Sequence, residues 1–294
     1  MNDPTVTLVI PTLNAGQEIA SLLDKLFMQS LVPDEIVVVD SSSDDNTVDI
    51  VKNYSEVVIN TIPRAQFNHG LTRDWAFKAS LGSIVCFMTQ DAMPANNQFV
   101  ANLIRPIVEN RDVAVSTGRQ LPKQNARQFE KLVRTYNYNS KSEIRSIEDV
   151  PRLGIKTYYT SDVCAAYRRD AYLAVGGFGE TDMSEDMLLA AKALKAGWRV
   201  AYAADAEVYH SHNFTPIQQF ERNKAIGRFL ENHSDLIVCA SEIGEGSGLV
   251  KAVSRQLIKD GHFGELFAFG IDCVARFLGN RAGRAEIVNI KKDE

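Results

Sequence analysis

Over the first third of the chain, short β-branched apolar runs alternate with amphipathic stretches. Residues 5–10 (TVTLVI) form one such run, closed by Pro11. Residues 14–17 (NAGQ) have the composition of a helix start, with Asn14 as cap and Gln17 reaching back from the third helical position. Ile19, Leu22, Leu23, Leu26 and Phe27 then recur on one helical face. Residues 36–39 (IVVV) read as a second buried strand ending at Asp40, 43–53 as a helix, and 57–59 as a short third strand. Residues 70–80 are helical in pattern. Residues 83–88 (SIVCFM) make the most apolar strand, which ends at Thr89-Gln90-Asp91. Continuous apolar strands alternating with helices predict an α/β fold whose mostly parallel sheet is covered by helices on both faces.

The pattern then changes. Residues 122–150 are polar and rich in Arg, Lys, Gln and Asn, with Tyr136 and Tyr138 interleaved. They read as helical pieces and loops rather than sheet. A glycine turn at 176–179 precedes a helical stripe at 186–196, and 198–202 resume a strand. Gly244-Glu-Gly-Ser-Gly248 reads as a hinge, dividing a main domain (1–240) from a helical extension (241–294). In that extension Glu265, Asp272 and Arg276 share a narrow stripe, while Leu266, Phe267, Phe269, Ile271, Val274, Phe277 and Leu278 are apolar almost all round. Such a helix must cover more than one side. The alternatives are packing on the domain, a homodimer contact, or a membrane surface with Arg276, Arg281, Arg284, Lys291 and Lys292 as its basic edge.

Composition narrows the function classes. With 294 residues, 45% hydrophobic and 23% charged, the chain can bury an ordinary core and is not globally disordered. A net charge of -5 argues against a general nucleic-acid binder. Cys86, Cys164, Cys239 and Cys273 lie far apart without metal-ligand spacing and read as thiols of a reducing compartment. The first residues lack a signal-peptide pattern and no apolar run reaches the ~20 residues of a membrane span. The expected location is the cytoplasm, with peripheral contact on the inner face of the cell membrane open through the C-terminal helices.

In open parallel sheets, ligands bind beyond the carboxyl ends of the strands. That rule points to 12–14, 40–45 and 89–91. Two of these segments carry carboxylates: Asp40, within a run of short polar side chains, and Asp91, suited to a hard divalent cation. Glu185-Asp186 precede a helix and would also stabilise its N-terminus. His210 and His212 follow a strand and, two apart, would point the same way to a metal or a phosphate. No P-loop, GxGxxG turn, HExxH helix or GxSxG elbow occurs, which weakens NTPase, dinucleotide, zinc-protease and serine-hydrolase readings.

Taken in order, VTLVIPTLN, IVVVDSSSDDNT, FNHGLTRDWAFKAS, FMTQDAMP, GGFGE with SEDMLLAAKALKAGW, and VYHSHNFT resemble the inverting glycosyltransferases of family 2, over residues 5–229. The variants resemble the bacterial rhamnosyltransferase branch in particular. The resemblance implies a GT-A nucleotide-binding domain in which Pro11, Thr12, Leu13, Asn14 and Asp40 serve the nucleoside. Arg64, Arg73 and Gln90 would serve the nucleotide sugar, Arg64 and Arg73 by offsetting phosphate charge; an exposed helix arginine is the bland alternative for Arg73. The family's metal motif carries two acids one residue apart, but here only Asp91 remains. Asp91 would hold Mg²⁺ or Mn²⁺, with His212 or His210 as a further ligand. Asp186 would be the general base and Glu185 its neighbour, orienting the acceptor. The implied reaction moves L-rhamnose from dTDP-β-L-rhamnose to a cell-surface polysaccharide or O-antigen acceptor, carried on a polyprenyl diphosphate, to form an α-rhamnoside. The acceptor would be met in 122–150. The rival readings are a UDP-hexose donor and a non-catalytic glycan-assembly subunit.

Overall fold

The computed structural model describes residues 4–237 and 242–293; Cys239 lies outside them. The strands are β1 (Val6–Thr12), β2 (Glu35–Asp40), β3 (Val57–Thr61), β4 (Ile84–Met88), β5 (Met93–Pro94), β6 (Val113–Leu121), β7 (Glu143–Arg145), β8 (Cys164–Arg168) and β9 (Arg199–Tyr209). The helices are α1 (Ile19–Phe27), α2 (Thr47–Val51), α3 (His69–Ala79), α4 (Phe99–Glu109), α5 (Gln128–Asn137), α6 (Val150–Leu153), α7 (Arg169–Ala174), α8 (Glu185–Lys195), α9 (Pro216–Asn232), α10 (Glu242–Lys259) and α11 (Phe263–Asp293). They fall into two compact units interleaved along the sequence. One comprises 1–120, 140–148 and 158–210; the other 121–139, 149–157 and 211–294.

The first unit is built on one nine-stranded sheet, ordered β3-β2-β1-β4-β8-β6-β9-β5, with β7 on β9. β3, β2, β1 and β4 run parallel, as the apolar runs predict. β1, β2 and β4 are almost wholly buried, because helices pack on the sheet and leave no polar face. Val6, Leu8 and Ile10 meet Ile19, Leu22, Leu23 and Leu26 of α1 in one core cluster. Beyond β4 the ladder turns antiparallel through β8 and β6. The register Thr12↔Asp40 brings the ends of β1 and β2 level, so the loops after them lie side by side. Cys86 and Cys164 are buried free thiols, and burial pushes each up to about 12, away from thiolate chemistry.

Four expectations change. Asn14 does not cap α1: it sits at φ 53°, its side-chain oxygen accepts the Asp44 amide, and the helix begins at Ile19. The polar middle contains a strand, β7, whose Ile144 pairs with Ala201 of β9; edge pairing needs backbone groups rather than apolar side chains. β9 runs on from the predicted 198–202 to Tyr209, so both histidines lie past its end and strand alternation does not orient them. Finally, the glycine-rich stretch is no hinge, since Gly246 and Gly248 lie inside α10. At Gly248 a Cβ would stand 2.7 Å from the Tyr136 hydroxyl, so close packing explains the glycine despite its helix cost of ~1 kcal/mol.

The second unit is helical. Phe129, Val133, Val253, Leu257 and Phe269 bury one another. Gly279 and Gly283 bring α11 against the backbone of α9 at Phe220 and Lys224, where a side chain would collide with the carbonyls. Ion pairs from Glu286 to Lys224 (3.0 Å) and Arg228 (3.3 Å) flank the contact. The polar stripe of α11 faces inward: Asp272 is buried against Arg276, and Glu265 meets Arg127 at 3.2 Å. Part of the apolar surface is exposed, with Phe263, Phe267, Val274 and Phe277 each more than half accessible. Among the described residues no helix is long and apolar enough to cross a membrane.

Candidate active site

All the geometry that follows belongs to the first unit. At the carboxyl end of its parallel strands, the loops after β1, β2 and β4 are laced together. Asp40 is fully buried, and its carboxylate accepts from the Thr12 hydroxyl (3.1 Å) and from the Ser43 amide (2.9 Å) and hydroxyl. Ser43 in turn accepts the Asn14 amide at 2.8 Å. The Gly16 amide donates to Asp45, 2.9 Å away. Gln90 clamps the same loop from the β4 side. Its amide oxygen accepts from Leu13 N–H at 2.8 Å and its amide nitrogen donates to the Leu13 carbonyl at 3.1 Å. Gln90, the residue between Thr89 and Asp91, thus fixes the backbone of 13 with a neutral side chain. Arg64, just past β3, reaches the Ser42 carbonyl (2.9 Å) and Asp44 (2.6 Å) on the exposed rim of this loop set. Pro11, Thr12, Leu13, Asn14, Asp40, Arg64, Gln90 and Asp91 therefore cluster at one end of the sheet.

A second cluster gathers around α3 and α8. Ser184, at φ 60°, turns the chain so that Glu185 and Asp186 open α8. Arg73 is buried rather than an exposed helix arginine. It stands 3.1 Å from Glu185 and 3.2 Å from Asp162. Burial disfavours its charge, but Glu185, Asp162 and Asp186 outweigh that and hold its pKa above the usual value. Asp186 accepts from the Asp162 amide (3.1 Å) and from its own helix at Met187 N–H (2.6 Å). Burial, then the Glu185 charge, push its carboxyl up to about 7. A base is most effective with a pKa near the working pH, and Asp186 sits there. Asp162 is itself pushed up by burial against the pull of Arg73, and it accepts the Tyr167 hydroxyl at 2.6 Å. His69, at the start of α3, lies 3.8 Å from Glu185 and 3.2 Å from Arg73.

A third group pairs Asp91 with His210, whose Nε2 is 3.4 Å from Asp91 Oδ2. Nδ1 of His210 meets the side-chain oxygen of Gln120 at 2.9 Å. A carboxylate beside an imidazole suits Mn²⁺, which accepts mixed O and N ligands, better than Mg²⁺. His212 belongs to the second unit, its ring stacked on Phe214 with centroids 4.9 Å apart.

Sequence reasoning missed Asp162, His69 as a neighbour of Glu185, and Gln120. Asp162 carried a faint signal: an acid two residues before the apolar run CAAY, at the same end of the sheet as the other acids. Gln120 carried none, because a polar residue at the end of a strand is ordinary. The three groups are joined by adjacent residues: Gln90 with Asp91, and Ser161, which meets Gln120, with Asp162, which meets Asp186.

Residues 7–176 match the family model "Glycosyl transferase family 2". The O-antigen chain rhamnosyltransferase RfbN of Salmonella typhimurium is 38% identical over 289 residues, covering 95% of this chain and 89% of that protein. The O-antigen chain rhamnosyltransferase WbaN of Salmonella anatum is 37% identical over 292 residues, covering 96% and 90%. Among solved structures, the mannosyltransferase PcManGT from Pyrobaculum calidifontis, in complex with GDP-Man and Mn²⁺, shares the fold at a TM-score of 0.65 and 17% identity, covering 100% of this chain and 89% of that one. A GT-A sheet with its acids at the carboxyl ends of the strands, and relatives matched over almost their whole length, lead to one conclusion: the chain is a glycosyltransferase and belongs to glycosyltransferase family 2.

Proposed function

We propose that the chain transfers L-rhamnose from dTDP-β-L-rhamnose to a hydroxyl of an O-antigen-type acceptor with inversion, giving an α-rhamnoside. The donor sugar rests on the near-full-length likeness to two O-antigen chain rhamnosyltransferases. The chemistry rests on one observation above all, a carboxyl held by two amides and pushed to about 7 at the mouth of α8.

In this reading Asp186 removes the proton from the acceptor hydroxyl as that oxygen attacks the anomeric carbon; such assistance is worth ~10²–10⁴-fold in rate. Glu185 and His69 orient the acceptor. Arg73 pairs with Glu185 and Asp162 beside the base, so it acts through these carboxylates as well as toward the phosphates. The loops held by Asp40 and Gln90 form a rigid nucleoside pocket, with Arg64 at its rim. Asp91 and His210, with His212 as a further candidate, would hold a Mn²⁺ or Mg²⁺ ion. Such an ion, when bound, neutralises charge developing on the leaving diphosphate.

The exposed apolar surface of α11 supports peripheral contact with a membrane that carries a polyprenyl-diphosphate-linked acceptor. Arg281 lies over Phe277 at 5.7 Å, placing a cation beside the apolar face. Co-sedimentation with anionic vesicles, lost in Phe267→Ser/Phe277→Ser, tests this; an apolar-face homodimer would instead appear as a concentration-dependent mass.

The direct test of function is nucleoside diphosphate release from dTDP-L-rhamnose, UDP-glucose and UDP-galactose with Mn²⁺ and rhamnose-ended acceptors. The proposal expects turnover with dTDP-L-rhamnose alone. Turnover confined to a UDP-hexose would discard rhamnose and keep the family. Donor binding without any turnover would favour a non-catalytic subunit.

A further inference from the structure

Gln120 is the penultimate residue of β6, and its side chain is buried. Its two amide ends are divided: the nitrogen donates to the Ser161 hydroxyl at 2.9 Å, and the oxygen faces His210 Nδ1 at 2.9 Å. An amide oxygen only accepts, so His210 must carry its proton on Nδ1. Nε2 is left facing Asp91 Oδ2 at 3.4 Å. Two electron pairs pointed at each other repel. A cation held between the two atoms would relieve that repulsion.

We infer that Gln120 is a positioning residue for the cation site: it fixes the tautomer and ring orientation of His210 so that Nε2 presents its lone pair beside Asp91. The inference rests on the reading of Asp91 and His210 as cation ligands. A metal-bound histidine ordinarily donates its other ring N–H to a buried acceptor, and loss of that acceptor typically weakens binding ~10–100-fold. Here the acceptor comes from the antiparallel half of the sheet. It is held in turn by Ser161, the residue next to Asp162, whose amide supports the base.

The test is titration of the full-length, nucleotide-free protein with Mn²⁺, followed by electron paramagnetic resonance or calorimetry. Wild type should bind Mn²⁺ and His210→Ala should bind it much more weakly. Gln120→Leu, close in size but without an acceptor, should lose ~10–100-fold in affinity. Gln120→Glu, which keeps the acceptor, should bind like wild type or more tightly. Long-range ¹H–¹⁵N spectra of the metal-free protein at pH 8 should show His210 as a single Nδ1–H tautomer in wild type and a mixture in Gln120→Leu. Wild-type affinity in Gln120→Leu, equal weakening in Gln120→Glu, or an Nε2–H tautomer in wild type would overturn the inference while leaving the cation reading in place. Wild-type affinity in His210→Ala would overturn both.

Discussion

Replacing Glu185 by Gln removes one charge from the cluster around Asp186 and keeps the shape of the side chain. In the wild type, burial and the Glu185 charge together move the Asp186 carboxyl from an ordinary 3.8 to about 7, which corresponds to about 4 kcal/mol against ionisation. Burial is the larger cause and is unchanged by the substitution. The neighbouring charge accounts for the smaller part, on the order of one pH unit or ~1.4 kcal/mol for a like charge in the same site. Arg73, 3.1 Å from Glu185, is also freed of one partner and then favours the remaining carboxylates more strongly. Both changes lower the Asp186 pKa. A general base works deprotonated, so activity rises with pH through its pKa, and the acidic limb of kcat/KM should lie near pH 7 in wild type. In Glu185→Gln that limb should move about one unit lower, to pH ~6, even if the plateau rate falls through loss of acceptor orientation. The assay is nucleoside diphosphate release between pH 5 and 9 at saturating Mn²⁺. Histidines ordinarily titrate in the same range, so the displacement of the limb carries the information rather than its position. A limb that stays put, or moves to higher pH, would refute the assignment of Asp186 as the titrating base.

Three other outcomes follow from the same geometry. Asp186 has a raised pKa in the fold, so its ionisation costs stability as pH rises from the unfolded value of 3.8 through about 7; thermal melts should show Asp186→Asn gaining on wild type between pH 5 and pH 8. Arg73→Met should destabilise by ~3–5 kcal/mol in urea unfolding, because Asp162 and Glu185 are left buried without their cation. Asp91→Ala, or excess EDTA on wild type, should abolish transfer without changing the melting curve of the metal-free protein; full activity under EDTA would remove the metal from the account.

The parallel half of the sheet was legible in the sequence because strands buried on both faces leave continuous apolar runs, and 36–39 and 83–88 are such runs. β7 was not, since a three-residue edge strand needs only backbone partners. The inward face of α11 was hidden for a related reason: Asp272 is buried against Arg276 and Glu265 is half-buried against Arg127, which no periodicity of apolar positions reveals. At the site, the ordered motifs named Asp91, Glu185, Asp186 and His210, and the structure brings Asp91 to His210 and Glu185 to Arg73. Asp162 and Gln120 stood outside every motif. Each matters through a partner distant in sequence, Asp186 and His210, so only the folded chain assembles the pair.

Asp186→Asn, examined for donor binding and for transfer in one preparation, tests the central claim most directly. Calorimetry with dTDP-L-rhamnose and Mn²⁺ should return a donor affinity close to wild type, because the role proposed for Asp186 is toward the acceptor. Transfer to a rhamnose-ended acceptor should fall by ~10²–10⁴-fold. Wild-type turnover in Asp186→Asn would contradict the account and require a different base.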